Sequence, residues 1–126
     1  MRLYEISKLQ YKMPNFNAEY EEALRYPQLK SLNMDQWLKL AKQGRKLNTT
    51  PEFIQQLNNT DAAEPSNFNT LDKDKINRFI SMFKTNKIEM PIVLLTNKGY
   101  DLLGGNTRLT GLVAKGIYPP VWVIEI

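Results

Sequence analysis

The segment 91–105, PIVLLTNKGYDLLGG, limits the possible folds more than any other stretch of the sequence. Its first part is a short apolar run, which is typical of a buried strand. The triplet NKG then forms a turn, because Gly99 can take the positive φ that tight turns require. YDLL is the returning strand. The segment therefore predicts a β-hairpin that runs directly into two adjacent glycines.

Further elements are predicted on both sides of this hairpin. Apolar residues at helical spacing predict the longest helix over 71–86, and a later helix over about 106–115 that ends at Gly116. The last residues, VWVIEI, predict a closing strand. The second half of the chain thus has the order α-β-β-α-β, which indicates an α+β fold.

The first half of the chain is mostly helical in pattern. MRLYEI predicts a short strand, and Asn17 is a possible cap for a helix that Pro27 interrupts. Asn33 can cap a second helix, which stops at Gly44. A short third helix opens at Thr50-Pro51.

Three regions follow from these patterns. Residues 1–58 form an N-terminal strand and helical extension, residues 59–70 a polar loop or linker, and residues 71–126 the core. Both halves are short, so we expect one folded body rather than two independent domains.

Composition excludes several kinds of chemistry. The 126 residues include neither cysteine nor histidine, which excludes disulfides, a cysteine nucleophile, a Ser-His-Asp triad and histidine–zinc sites. No metal site built by the protein alone is expected. A net charge of +4 and a pI of about 9.3 permit a phosphate-bearing partner without requiring one. No signal peptide or membrane-spanning stretch is predicted, so we expect a cytoplasmic protein without a membrane partner.

The glycine pair lies where a strand passes into a helix, a geometry that suits an anion. Gly104 and Gly105 would admit a phosphate, the amides of Asn106 and Thr107 would donate to it, and Arg108 would neutralise it. A purely structural interpretation stays open as well. In that case the glycines relieve a tight turn, Asn106 is a plain cap, and Arg108 is a solvated surface residue.

Two acidic residues lie close to this motif in the sequence. Glu89 precedes the PIVLL strand and is our candidate catalytic residue, since a carboxylate can orient a nucleophile or hold Mg²⁺ beside a nucleotide. The alternative is a solvated acid before a strand. Asp101 lies just before the glycines, and the sequence does not decide between the site and solvent for its side chain.

A group of basic residues is a candidate nucleic-acid contact. These residues are spaced to share one helical face and the turn after it: Lys39, Lys42, Arg45 and Lys46. Such a patch can follow a phosphate backbone. An ordinary solvated helix face is the alternative explanation.

Three stretches together resemble the ParB N-terminal/sulfiredoxin superfamily: MPIVLL, GYDLLGGNTRL and PPVWVIEI. Their order and spacing match over a little under half of the chain, and residues 1–58 have no counterpart. Gly104, Gly105 and Arg108 match the Gly-Gly-Cys-His-Arg stretch of sulfiredoxins. Asn106 and Thr107 replace its cysteine and histidine, which excludes sulfiredoxin activity. They also differ from the Glu and Arg of partition-type ParB proteins. The whole chain is similar, more loosely, to small phage proteins, for which the location would be the host cytoplasm.

The resemblance implies a small mixed β-sheet with flanking helices, to which this chain adds an N-terminal helical extension. It also implies a phosphate-binding loop that takes ATP or CTP with Mg²⁺, and phosphoryl transfer or nucleotide hydrolysis as the reaction. An alternative function is a non-catalytic interaction module that holds DNA or a host protein with the same scaffold. The replacement of both reactive residues of the motif favours that alternative.

Overall fold

A computed structural model of the chain describes residues 9–57 and 73–126, without the side chains of Lys75, Arg78, Asn106 and Thr107. The predicted first strand and the predicted linker lie outside the described residues. The helices are a 3-10 turn at Asn17–Glu19, α1 at Tyr20–Ala23, α2 at Met34–Lys42, α3 at Pro51–Gln56, α4 at Lys73–Lys84 and α5 at Asn106–Ala114. The strands are β1 at Gln10–Lys12, β2 at Arg45–Leu47, β3 at Lys87–Glu89, β4 at Ile92–Thr96, β5 at Gly99–Gly104 and β6 at Val121–Glu125.

The strands form one four-stranded and one two-stranded sheet. The larger sheet has the order β2-β6-β4-β5, in which β4 and β6 are parallel and the two outer pairs are antiparallel. The smaller sheet pairs β1 with β3 in parallel. The fold is therefore α+β with a small mixed sheet, as expected. The predicted hairpin is β4–β5, with Gly99 at a φ of 117° in its turn.

The chain passes from the smaller sheet to the larger one at Met90 and Pro91. The Met90 N–H extends the first ladder by donating to the Lys12 carbonyl at 3.0 Å. The next carbonyl, that of Pro91, accepts from the Trp122 N–H at 2.8 Å in the second sheet. This change of sheet brings the end of β3 beside the end of β5.

The part of the chain from Phe16 to the end of α2, which we call the N-terminal segment, covers one face of the larger sheet. Trp37 of α2 is fully buried, and its indole N–H donates to the Phe16 carbonyl at 2.8 Å. The Trp122 indole N–H of β6 donates in turn to the Ala41 carbonyl at 2.8 Å. The buried residues of this face are Phe16, Ala23, Leu29, Trp37, Ala41, Ile92, Leu94 and Ile124. Because the 3-10 turn directly follows Phe16, its position against the sheet is fixed.

Helices α3 and α5 cover the opposite face, and α4 packs beside α5. Leu109 and Leu112 of α5 are fully buried, in two adjoining clusters. A Cβ on Gly111 would lie 2.6 Å from the Phe79 ring, so α4 and α5 approach closely there. No helix in the described residues is both long and apolar enough to cross a lipid bilayer.

The structure corrects the helix predicted from Asn17. A 3-10 turn and a single α-helical turn end at Ala23, well before Pro27. The N-cap position is Phe16 rather than Asn17, and it makes no side-chain cap bond. The Asn15 side-chain oxygen accepts from the Ala18 N–H at 3.3 Å. This short segment packs on the sheet and does not continue as the longer helix that we expected.

Two other helix starts are confirmed. Asn33 and Gln36 form a reciprocal capping box at α2. The Thr50 hydroxyl accepts from the Phe53 N–H at 3.1 Å at the start of α3.

Candidate functional site

The glycine pair forms the junction between β5 and α5, which we call the glycine turn (residues 104–108). Gly104 ends β5, and Gly105 takes a left-handed conformation with φ 93°. A Cβ on Gly105 would lie 2.9 Å from the Pro91 Cα, so conformation and space both require glycine. The first helical bond runs from the Leu109 N–H to the Gly105 carbonyl at 2.8 Å. The amides of residues 106–108 thus lie ahead of the intrahelical ladder, as donors at a helix N-terminus do.

The space beside Gly104 is filled by a carboxylate of the chain itself. A Cβ on Gly104 would lie 2.6 Å from the Glu19 Cδ and 2.8 Å from each of its oxygens. We expected an incoming phosphate at this position, and phosphate binding beside Gly104 stays a prediction. Glu19 belongs to the 3-10 turn of the N-terminal segment. No local sequence pattern connects it with the glycines, which is why sequence analysis did not select it.

Arg108 folds back over the glycine turn. Its side chain is 17% exposed, and its Nη1 lies 3.6 Å from the Glu89 Oε2. Its Nη2 comes within 2.8 Å of the position that a Cβ on Gly105 would take. The interpretation of Arg108 as a solvated surface residue is therefore wrong. Glu89, the candidate catalytic residue, thus lies beside the glycine turn, and its catalytic role stays a prediction.

One hydrogen-bond donor of this arginine is unused. Among the side chains that the structure describes, the Arg108 Nε is the single buried polar atom without a hydrogen-bond partner. Buried polar groups are normally paired, so an unpaired donor in the interior needs an explanation.

Burial shifts the pKa values of Glu19 and Arg108 in opposite directions, and the charges around them modify both shifts. Burial raises the pKa of the Glu19 carboxyl; Arg108 opposes the shift, whereas Glu22 and Glu89 reinforce it. Burial lowers the pKa of the Arg108 guanidinium, against the influence of Glu89 and Glu19. Arginine nevertheless stays protonated in proteins. With both carboxylates ionised, Glu19, Glu89 and Arg108 carry one net negative charge.

These carboxylates do not make a metal site by themselves. No group of three or more metal-ligating side chains occurs in the part of the chain that the structure describes. A Mg²⁺ ion beside Glu19 and Glu89 would need further oxygen ligands, which phosphate groups and water can supply.

Asp101 lies away from this cluster, in a contact of its own. It shares a hydrogen bond with the hydroxyl of Tyr26, which comes from the segment after α1. Burial, and then the Asp101 charge and hydrogen bond, raise the pKa of Tyr26 to about 12. The Asp101 side chain, whose orientation the sequence did not decide, thus points towards Tyr26 in the N-terminal segment.

The four basic residues do not share one helical face. Lys39 and Lys42 are exposed on the last turns of α2, whereas Arg45 and Lys46 are consecutive residues of the edge strand β2. Consecutive strand residues point to opposite faces of a sheet. The turn predicted for Arg45 and Lys46 is therefore wrong, because β2 pairs with β6 directly after the helix ends. Binding of nucleic acid by these residues stays a prediction.

Asn106 and Thr107 form the start of α5, and their side chains lie outside the described set. The structure thus brings the ends of β3 and β5, the start of α5 and the 3-10 turn together around Arg108. No family model, curated protein or solved structure matches the chain. The resemblance to the ParB N-terminal/sulfiredoxin superfamily accordingly stays a prediction.

Proposed function

We propose that the chain binds a nucleotide, ATP or CTP, through its phosphates at the glycine turn, with Mg²⁺ accompanying the triphosphate. The observation that carries this proposal is the unpaired, buried Nε of Arg108. It lies at the N-terminus of α5, where backbone donors and the helix dipole also favour an anion.

The ion pair with Glu89 runs through Nη1 and leaves the Nε donor of Arg108 unused. A guanidinium has five N–H donors. Its contact with Glu89 is 3.6 Å long, beyond the usual range of an N–H···O hydrogen bond. A phosphate oxygen can supply the shorter, charge-assisted contact that this geometry lacks.

Each residue of the turn has a role in this proposal. Gly104 allows the phosphate to approach the backbone, and Gly105 makes the left-handed turn into α5. The amides of Asn106 and Thr107 donate to the phosphate, and Arg108 neutralises it. Glu89 holds the guanidinium in place. If a reaction follows binding, it would be phosphoryl transfer or hydrolysis, with Glu89 orienting the nucleophile.

Calorimetric titration with ATP, CTP, GTP and ADP, each with and without Mg²⁺, tests the proposal. We expect Arg108→Gln to weaken nucleotide binding about 10- to 150-fold, since a hydrogen bond to a charged group contributes roughly 1.5–3 kcal/mol. Arg108→Lys should recover only part of the affinity, because a point charge cannot make a bidentate contact.

Arg25→Gln is the matched control for the loss of an arginine. Arg25 is 77% exposed and pairs with Glu22 at 3.4 Å on the surface. Its replacement should leave nucleotide affinity unchanged. Circular dichroism melts must accompany each titration, because Arg108 is largely buried. Unchanged affinity in folded Arg108→Gln protein would contradict the proposal.

A further inference from the structure

The glycine turn already holds an anion that belongs to the chain. The Glu19 carbon and both carboxylate oxygens lie 2.6–2.8 Å from the position that a Cβ on Gly104 would take. A carboxylate can approach the backbone this closely only where no side chain intervenes. Gly104 is therefore in contact with an oxyanion group of the kind that we expect the ligand to bring.

We propose that Glu19 is an autoinhibitory residue: its carboxylate occupies the anion position beside Gly104, and a phosphorylated ligand binds only when that carboxylate moves away or loses its charge. The inference rests on the proposed function and assigns a regulatory role to the N-terminal segment. Two anions cannot share one contact with Gly104, and Coulomb repulsion between them is strong in a partly buried site.

The backbone of Glu19 is anchored, and its carboxylate is joined to that backbone by three rotatable bonds. The 3-10 turn lies between two buried residues, Phe16 and Ala23, and the Phe16 carbonyl is held by Trp37. From this anchored backbone the side chain reaches Gly104 through three rotatable bonds. Rotation about these bonds removes the carboxylate from the glycine turn without unfolding any element.

Three charged groups act on the Glu19 carboxylate. Arg108 of α5 attracts it, whereas Glu22 of α1 and Glu89 of β3 repel it. Burial also raises the pKa of Glu19, so mild acid removes its charge more readily than that of an exposed glutamate. A protonated Glu19 no longer competes for Arg108. The wild-type protein should therefore bind a dianion more tightly at lower pH.

The experiment compares Glu19→Gln with the parent protein and with Glu21→Gln, in which an exposed neighbouring glutamate loses the same charge. We expect Glu19→Gln to bind Mg²⁺–ATP on the order of tenfold more tightly, as removal of one nearby like charge implies. Glu21→Gln should bind like the parent. Sulfate serves as a second probe, because it keeps its double charge between pH 5 and pH 7.5. Its affinity should rise towards pH 5 in the parent and change less in Glu19→Gln.

Each outcome bears on one of the two proposals. If the parent protein binds nucleotide but Glu19→Gln binds no more tightly, the autoinhibitory role is wrong and the proposed function stands. If neither protein binds nucleotide or sulfate, both proposals are wrong. Should Glu19→Gln fail to fold, Glu19→Asp replaces it: the shorter side chain keeps the charge but withdraws from Gly104, so affinity should still rise. The sulfate series on the parent protein needs no variant, and a flat series would overturn the inference.

Discussion

Alanine substitutions at the two adjacent glycines should have very different effects on stability. Gly105 has a φ of 93°, and a Cβ there would meet the Pro91 Cα at 2.9 Å. A left-handed conformation costs an ordinary residue about 1–2 kcal/mol, and crowding in a packed region costs about 1–3 kcal/mol more. Because Pro91 is a backbone contact at the change of sheet, it cannot rotate away. Gly105→Ala should therefore lose about 2–5 kcal/mol of the free energy of unfolding.

Gly104→Ala has a different physical basis. The φ of Gly104 lies outside the left-handed region, so alanine causes no backbone strain there. The clash at 2.6 Å is with the end of the Glu19 side chain, which can rotate. Lower entropy of the unfolded chain stabilises a Gly→Ala protein by about 0.4–1 kcal/mol where the conformation is compatible. The net change in the free energy of unfolding should stay within about 1 kcal/mol.

Urea denaturation followed by the fluorescence of Trp37 and Trp122 measures both variants. With a slope of about 2 kcal/mol per molar urea, Gly105→Ala should lower the midpoint by roughly 1–2.5 M and Gly104→Ala by less than about 0.5 M. Equal shifts for the two variants would refute the reasoning, since it assigns strain and a rigid contact to Gly105 alone.

Two further predictions concern the contacts that hold the N-terminal segment on the sheet. Burial and Asp101 raise the pKa of Tyr26 from 10.0 to about 12 in the folded protein, so its contribution to stability is fully present below pH 10 and is lost as the pH rises through about 12. Tyr26→Phe should therefore remove part of the loss of stability at alkaline pH. Urea midpoints measured against pH test this, and the same pH profile in both proteins would contradict the prediction. Trp37→Phe removes the indole donor at 2.8 Å from the Phe16 carbonyl, which keeps the Glu19 N–H at 3.2 Å. The loss of this hydrogen bond should cost about 0.5–1.5 kcal/mol and lower the melting temperature by a few degrees, whereas an unaltered melt would show that the hydrogen bond contributes little.

The hairpin and the helices around it could be predicted because their signals are local. Apolar runs, the turn at Gly99 and the caps at Asn33 and Thr50 act over a few residues, and the structure confirms each of them. The three-residue strands β1, β2 and β3 were missed because so short a strand has no periodicity. They form by pairing with strands distant in sequence. The same pairing divides the predicted basic face at Arg45 and Lys46.

The candidate site was predictable only where its residues are neighbours in sequence. The passage from a strand through two glycines into a helix follows the expectation, and Glu89 lies beside it. The burial of Arg108 does not, because exposure depends on what packs above the helix N-terminus. Glu19 of the 3-10 turn lies beside Gly104 and interacts with the charge of Arg108. The position of that turn is set by the contact between Phe16 and Trp37. Nothing in the local pattern of residues 17–23 signals such a contact.

The two glycines therefore require separate explanations, although they are adjacent. Gly105 is needed whatever the chain binds, since its φ and its distance from Pro91 already exclude a side chain. Gly104 has no such conformational requirement, and the group that its missing Cβ admits is a carboxylate. A glycine kept only for a tight turn does not need an anion beside it. The contact with Glu19 thus connects the N-terminal segment with the glycine turn. The Glu19 variants test whether the carboxylate opposes ligand binding, and the Arg108 variants test whether the guanidinium favours it.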